Sequence, residues 1–180
     1  MRIVIFGGAG TGKTTLGRSL AQRLGWSFLD SDDYYWEKTM PPYQTKIPLA
    51  IRNEKLKAAY AKSEQVVVSG FLSTWSKFWG TAFDLAVFLR VPKEIRMNRL
   101  IQREIVRYGN SLIDDANAKN KSKEFLDWAE GYEDESNISG ITEHLNWIEE
   151  LDCPVVEMKG DLSNEERLSI LLEEISDRRL

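Results

Sequence analysis

Residues 7 to 15 read Gly-Gly-Ala-Gly-Thr-Gly-Lys-Thr-Thr. Gly7, Gly12, Lys13 and Thr14 fill the fixed positions of the phosphate-loop pattern G-x-x-x-x-G-K-[ST]. Glycines let backbone amides turn inward and crowd the oxygens of a phosphate. A lysine at position 13 suits the β- and γ-phosphates, and a hydroxyl at position 14 suits Mg²⁺. The apolar run Ile3-Val4-Ile5-Phe6 precedes the loop and a helical pattern follows it, the strand–loop–helix setting this motif requires. The helix opening near Gly12 adds its positive end. Gly8, Ala9, Gly10, Thr11, Gly12, Lys13, Thr14 and Thr15 are therefore expected to hold ATP, with Mg²⁺ as its companion ion.

Asp30-Ser31-Asp32-Asp33 closes a second strand-like segment. Two carboxylates at i and i+2 of an extended chain point to the same side. One of the two is expected beside the metal, because Mg²⁺ keeps much of its water and needs few protein oxygens. The other is expected to orient or deprotonate an acceptor hydroxyl. The alternative is a solvated acidic turn that caps a helix. Ser69-Gly70-Phe71 ends a third strand without the aspartate that closes many ATPase strands, which returns the metal role to Asp30 or Asp32. Gly70 either admits a ligand closely or makes a simple turn.

Arg96, Arg99, Arg103 and Arg107 recur along one helical pattern. At 100° per residue they fall within roughly 80° of one another. Such a stripe either pairs with Glu94 and Glu104 at the surface or turns guanidinium groups toward phosphates. Arg96 and Arg99, early in the helix, are expected to be structural or superficial. Arg103 and Arg107, next to Tyr108-Gly109-Asn110, are the expected catalytic pair. Lys159-Gly160-Asp161 follows a fifth strand and can meet the nucleotide base through its backbone, with Ser163 capping the next helix. Trp36, Trp75, Trp79, Tyr34, Tyr35 and Tyr43 flank the presumed cleft; packing is their first expected role and stacking on an acceptor the second. His144 is placed by its helical setting far from these loops, in packing or at the surface.

These groups need a frame. Segments 2–6, 27–30, 65–69, 85–91 and 155–158 read as short strands, mostly apolar on both faces. Leu16, Leu20 and Leu24 recur at helical spacing, with Gly25 as a stop. Segments 49–61, 92–108, 125–132, 142–151 and 165–175 complete the helical set. The alternation predicts an α/β fold: a P-loop NTPase with a three-layer, doubly wound sheet of five mainly parallel strands and a helical lid, in one domain over residues 1–180. Ligands in such sheets bind at the carboxyl ends of the strands, where the residues above cluster. The polar segment 109–123 reads as the lid, or alternatively as an exposed loop.

The 180 residues are 42% hydrophobic and 29% charged, with a net charge of −4. That balance argues against a nucleic-acid binder working by broad electrostatics. The single cysteine, Cys153, permits no intrachain disulfide and suits a reducing cytoplasm. No apolar stretch reaches 18 residues, so no membrane partner is expected.

The motifs together resemble the small P-loop kinases: shikimate kinase, gluconate kinase and adenylate-kinase-like proteins. Gly-Ala-Gly-Thr-Gly-Lys-Thr-Thr-Leu-Gly followed by Phe28-Leu29-Asp30-Ser31-Asp32 is similar to the shikimate kinase opening. By that resemblance Asp30 serves the Mg²⁺ shell and Asp32 meets the substrate hydroxyl. Arg52 lies where shikimate kinases keep an arginine for the substrate carboxylate, although the following glutamate is one residue too close. Pro48-Leu49 with Arg52 is also similar to gluconate kinase. Arg99-Leu100-Ile101-Gln102-Arg103 resembles the R-L-x-x-R that leads into the adenylate kinase lid. Two departures stand out. The glycine triplet of shikimate kinases is replaced by Ser69-Gly70-Phe71. Where adenylate kinases return from the lid with an arginine above a tyrosine, Trp128 precedes Tyr132, and Lys119, Lys121 and Lys123 are left to supply charge.

The resemblance implies an ATP-dependent phosphotransferase that moves a γ-phosphoryl group to a small-molecule hydroxyl or nucleotide phosphate. Its acceptor site is expected between Asp32, Arg52 and Gly70, in a monomer or homodimer. The alternative is a regulatory ATP-binding protein or slow ATPase that acts through a protein partner.

Overall fold

Strand β1 (Arg2–Gly7) is fully buried from Ile3 to Gly7, and its side chains alternate between two cores. In this computed structural model, which describes residues 1–39 and 42–178, Ile3 and Ile5 face Leu16 and Leu20 of helix α1 (Lys13–Leu24) and Leu171 of helix α8 (Asn164–Asp177). Val4 and Phe6 face Leu56 and Tyr60 of helix α3 (Leu49–Tyr60) and Trp147 of helix α7 (Ile141–Glu150). Each large side chain so buried contributes about 1.5–3 kcal/mol. The central strand therefore has no polar face, and helices cover both sides of the sheet.

The other strands are β2 (Ser27–Asp30), β3 (Val66–Ser69), β4 (Leu85–Arg90) and β5 (Val155–Lys159). Their order is β2-β3-β1-β4-β5 and every pairing is parallel, so the expected doubly wound sheet is present with no antiparallel member. Register places the chemistry. Asp30 pairs with Ser69, and Ser69 pairs with Ile5, so β2 and β3 end level with the start of the phosphate loop.

Helices α2 (Asp32–Tyr35), α4 (Lys93–Tyr108), α5 (Ser111–Asp114) and α6 (Ala116–Glu130) complete the set. The polar stretch 109–123 is helical over most of its length, and α6 begins at Ala116 rather than near residue 125. Its buried positions are Ala118, Ser122 and Ala129, too small to show as an apolar stripe. Asp115 nonetheless marks the start, accepting hydrogen bonds from the amides of Asn117 and Ala118. Between α2 and α3 a single antiparallel bridge joins Trp36 to Lys46. Ser163 and Glu166 form a reciprocal capping box on α8, as a cap at Ser163 implies. Among the described residues, no helix is long and apolar enough to cross a membrane.

Candidate active site

The loop from Gly7 to Thr15 joins β1 to α1. Gly12, at the cap of α1, has φ +93°, a left-handed conformation that favours glycine. Lys13 folds back, its ammonium donating to the carbonyls of Gly7 and Gly8 at 2.9 Å each. Three arginines grip the outer carbonyls of the loop. Arg96 donates to Ala9 at 3.3 Å, Arg99 to Gly10 at 3.4 Å and Arg167 to Thr11 at 2.7 Å. Sequence reasoning placed Arg96 and Arg99 as structural or superficial, and so they are: Arg96 is fully buried and Arg99 exposed and paired with Asp161. It missed Arg167. The signal was there, since Arg167 shares the i, i+4, i+8 stripe of Leu171 and Ile175, where an apolar residue belongs.

Thr14 and Asp30 meet. The Thr14 hydroxyl donates to Asp30 Oδ2 at 2.8 Å, and Asp30 Oδ1 accepts from the Asp32 amide at 3.1 Å. A hydroxyl beside a carboxylate at the loop's end is a hard-oxygen pair that fits Mg²⁺. Among the described residues, no group of three or more His, Cys, Asp or Glu side chains gathers as a metal cage. Two protein oxygens suit an ion that travels with a triphosphate.

Lys13, Asp32 and Arg103 converge. Burial pulls the Lys13 ammonium down to about 8, Asp32 and Asp30 pull the other way, and Arg103 and Arg96 add to the lowering. Asp32 is raised above the ordinary carboxylate range, first by its enclosure among protein atoms and then by the charge of Asp30; Lys13 and Arg103 oppose this. Arg103 is lowered by enclosure and by Arg107, with Asp32 among the groups opposing. Yet water reaches both Asp32 and Arg103. Enclosure with water access describes the two walls of a cleft.

Of the two late arginines in α4, Arg103 therefore stands in the field of Lys13 and Asp32, its Cζ 5.3 Å from the Phe125 ring centre on α6. Arg107 is committed elsewhere, bonded to Glu104 at 2.7 Å and lying 4.3 Å from the Tyr43 ring centre. Lys121 donates to Gln44, tying α6 to the same segment, whereas Lys123 pairs with Asp127 at 2.5 Å.

On the other wall, Arg52 is held between two rings, its Cζ 3.9 Å from the centre of Tyr35 and 4.8 Å from that of Trp75. Its Nε is buried without a partner among the described residues. Tyr35 follows Asp32 by three residues on α2, one helical turn along the same face. Trp79, by contrast, is a fully buried core residue bonded to Asn53. The aromatic group thus divides between core and cleft. Gly70 has φ +137°, and a Cβ there would lie 1.8 Å from Ser31 Oγ, so its close approach is made by the chain's own Ser31. The Gly70 amide is bonded to the Ile5 carbonyl.

His144 packs, one of its two expected roles, but it is not distant from the loops: it is 2% exposed under the phosphate loop, stacked 4.0 Å from Phe71 and edge-on to Tyr132. Burial holds its imidazole down to about 4, and Lys13 adds to the lowering. On the far side of the loop, Gly12, Thr15, Arg99, Leu162, Ser163, Asn164 and Arg167 line a cavity of about 200 Å³, next to the expected Lys159-Gly160-Asp161 turn.

Comparison with known proteins agrees with this geometry. The AAA domain family (AAA_18) matches residues 3–121. The uncharacterized protein YqaC of Bacillus subtilis is 34% identical over 175 residues, 97% of each chain. The shikimate kinase of Nitratidesulfovibrio vulgaris is 29% identical over 109 residues, 55% of this chain and 62% of that protein. Among solved structures, shikimate kinase from Acinetobacter baumannii in complex with shikimate superposes with a TM-score of 0.57 at 21% identity, covering 99% of this chain and 94% of the other. With the phosphate loop, the parallel sheet and these relatives in agreement, the chain belongs to the AAA domain family, on the scaffold of the small P-loop kinases.

Proposed function

We propose that the chain is a small-molecule kinase that transfers the γ-phosphoryl group of ATP to a hydroxyl of an anionic acceptor. The observation that carries this reading is the placement of Asp32 beside the phosphate loop: Thr14 bonds Asp30 Oδ2, and Asp30 Oδ1 accepts the Asp32 amide.

The loop amides and Lys13 hold the β- and γ-phosphates. Thr14 and Asp30 would hold Mg²⁺, which would supply neutralisation of the phosphate charge when bound. The base sits in the cavity bordered by Arg99 and Arg167. Asp32 accepts the acceptor's hydroxyl proton as the acceptor oxygen bonds to the γ-phosphorus. The bond from that phosphorus to the β–γ bridging oxygen breaks, and its electron pair leaves on ADP. A carboxylate raised above its ordinary pKa is a stronger base for this step. Lys13 and Arg103 stabilise the charge spread over the moving group.

Arg52 supplies the acceptor class. A guanidinium held by two rings, with no carboxylate among the described residues on it, is preorganised for an anion that offers two oxygens, a carboxylate or a phosphate. A thermal-shift screen of hydroxyl-bearing acids and phosphate esters, with a non-hydrolysable ATP analogue present, tests the reading. An anionic acceptor is expected to add stability only in the company of the analogue. Stabilisation by neutral sugars alone, or by no acceptor, would contradict it.

A further inference from the structure

Arg96 joins two parts of the molecule that the proposed transfer must bring into step. It is fully buried on α4, and its guanidinium touches three elements. Nη1 donates to the Ala9 carbonyl in the phosphate loop at 3.3 Å and to the Ala129 carbonyl in the last turn of α6 at 3.3 Å. Nη2 pairs with Glu133 Oε1 at 2.6 Å, in the single turn that follows α6. The guanidinium also lies 4.7 Å from the ring centre of Tyr132. That ring presses on the phosphate loop in turn: a Cβ on Gly8 would come within 3.1 Å of it. The arginine above Tyr132 therefore comes from α4 and not from the helix that returns from the lid.

The arrangement is costly to disturb in part. A charge buried away from water holds its structure only while its partners stay in place. Among the described residues Nε of Arg96 has no hydrogen-bond partner, so the guanidinium's hydrogen bonds are those to the carbonyls of Ala9 and Ala129 and to the Glu133 carboxylate. Nη1 serves Ala9 and Ala129 together, both at the long end of hydrogen-bond range. A shift of the loop carbonyl as phosphates fill the loop changes the hold on the foot of α6. α6 in turn carries Phe125 against Arg103 and Lys121 against Gln44, the roof of the acceptor cleft.

We infer that Arg96, with Glu133 and Tyr132, is a positioning device that transmits nucleotide occupancy of the phosphate loop to the foot of α6, and so to Arg103 over the acceptor cleft. The inference rests on the reading of the loop as a nucleotide site and needs no particular acceptor. Coupling of this kind is reciprocal: a change at α6 must alter nucleotide affinity by the factor with which nucleotide alters α6.

The test is amide hydrogen exchange over residues 116–130 in the full chain, with and without a non-hydrolysable ATP analogue and Mg²⁺. In the unmodified protein the analogue is expected to slow exchange in α6 at least several-fold. In Arg96→Lys and in Glu133→Gln that response is expected to fall to less than half, while analogue still protects residues 8–15. Glu133→Gln alters a half-exposed side chain and keeps the test valid if Arg96→Lys does not fold. A purely structural role would leave the α6 response in proportion to loop occupancy, and that result in Glu133→Gln would overturn the inference. So would an unmodified protein in which residues 8–15 are protected and α6 is not. Failure of the analogue to protect residues 8–15 in the unmodified protein would instead overturn the nucleotide-site reading, and this inference with it.

Discussion

The Thr14 hydroxyl donates to Asp30 Oδ2 across 2.8 Å, joining the first turn of α1 to the last residue of β2. Neither residue is close to the other in sequence; the parallel register of β2, β3 and β1 brings them together. The bond leaves Asp30 Oδ1 to accept the Asp32 amide, which fixes the start of α2 and with it the aspect of Asp32. One carboxylate thus serves the donor side of the cleft through a side chain and the acceptor side through a backbone.

The first consequence concerns pH. In the free enzyme, kcat/KM is expected to need Asp32 ionised and Lys13 protonated. The alkaline limb should lie near pH 8, where the buried lysine releases its proton. The acid limb should lie above about 4, the ordinary carboxylate value, because Asp32 is raised. Arg103 lowers both groups, so Arg103→Met should move both limbs to higher pH as well as slow turnover. Limbs that stay in place in that variant would separate Arg103 from the cleft.

Arg52 should discriminate acceptors. Arg52→Lys keeps a charge but loses the planar fork held by Tyr35 and Trp75. A charge-assisted hydrogen bond of about 1.5–3 kcal/mol corresponds to roughly a 10- to 100-fold rise in the acceptor KM. Nucleotide affinity should not change. Steady-state kinetics with the acceptor found by thermal shift checks both parts, and an unchanged KM would remove Arg52 from the acceptor site.

His144 should make the fold sensitive to acid. Its folded pKa is lowered from 6.5 to about 4, so between those values the unfolded chain binds the extra proton and stability rises with pH. The stability is fully present above pH 6.5, and the loss amounts to about 3 kcal/mol by pH 4. Asp32 acts with the opposite sign, since a raised carboxylate favours the folded state at low pH. His144→Phe retains an aromatic ring against Phe71 and removes only the histidine's share. The difference in urea-unfolding free energy between the two proteins should therefore shift by about 2 kcal/mol from pH 7.5 to pH 5. A constant difference would contradict the assignment of a neutral, buried imidazole.

The sheet, the phosphate loop and the Thr14–Asp30 pair were legible because each rests on local chemistry: β-branched runs, glycines at fixed spacing, a carboxylate at a strand end. The helical stretch before residue 125 was not, because Ala118 and Ser122 bury small side chains and leave no apolar stripe to read. Arg167, and the contacts that Arg96 and His144 make, escaped for a different reason. Each is a polar residue with a partner distant in sequence, and the partners of the two arginines are backbone carbonyls that carry no residue signature. Tyr132 was seen without its cation, which arrives from a helix more than thirty residues earlier.

The central claim is that Asp32 serves an acceptor. The direct test is ADP formation by the unmodified protein and by Asp32→Asn across the anionic acceptors that thermal shift selects, with the Kd of an ATP analogue measured for both. The account predicts little ADP without acceptor, a rise with a selected acceptor, and a loss of roughly 10²- to 10⁴-fold in Asp32→Asn at unchanged analogue Kd. Acceptor-independent ADP formation, or full turnover by Asp32→Asn, would contradict it.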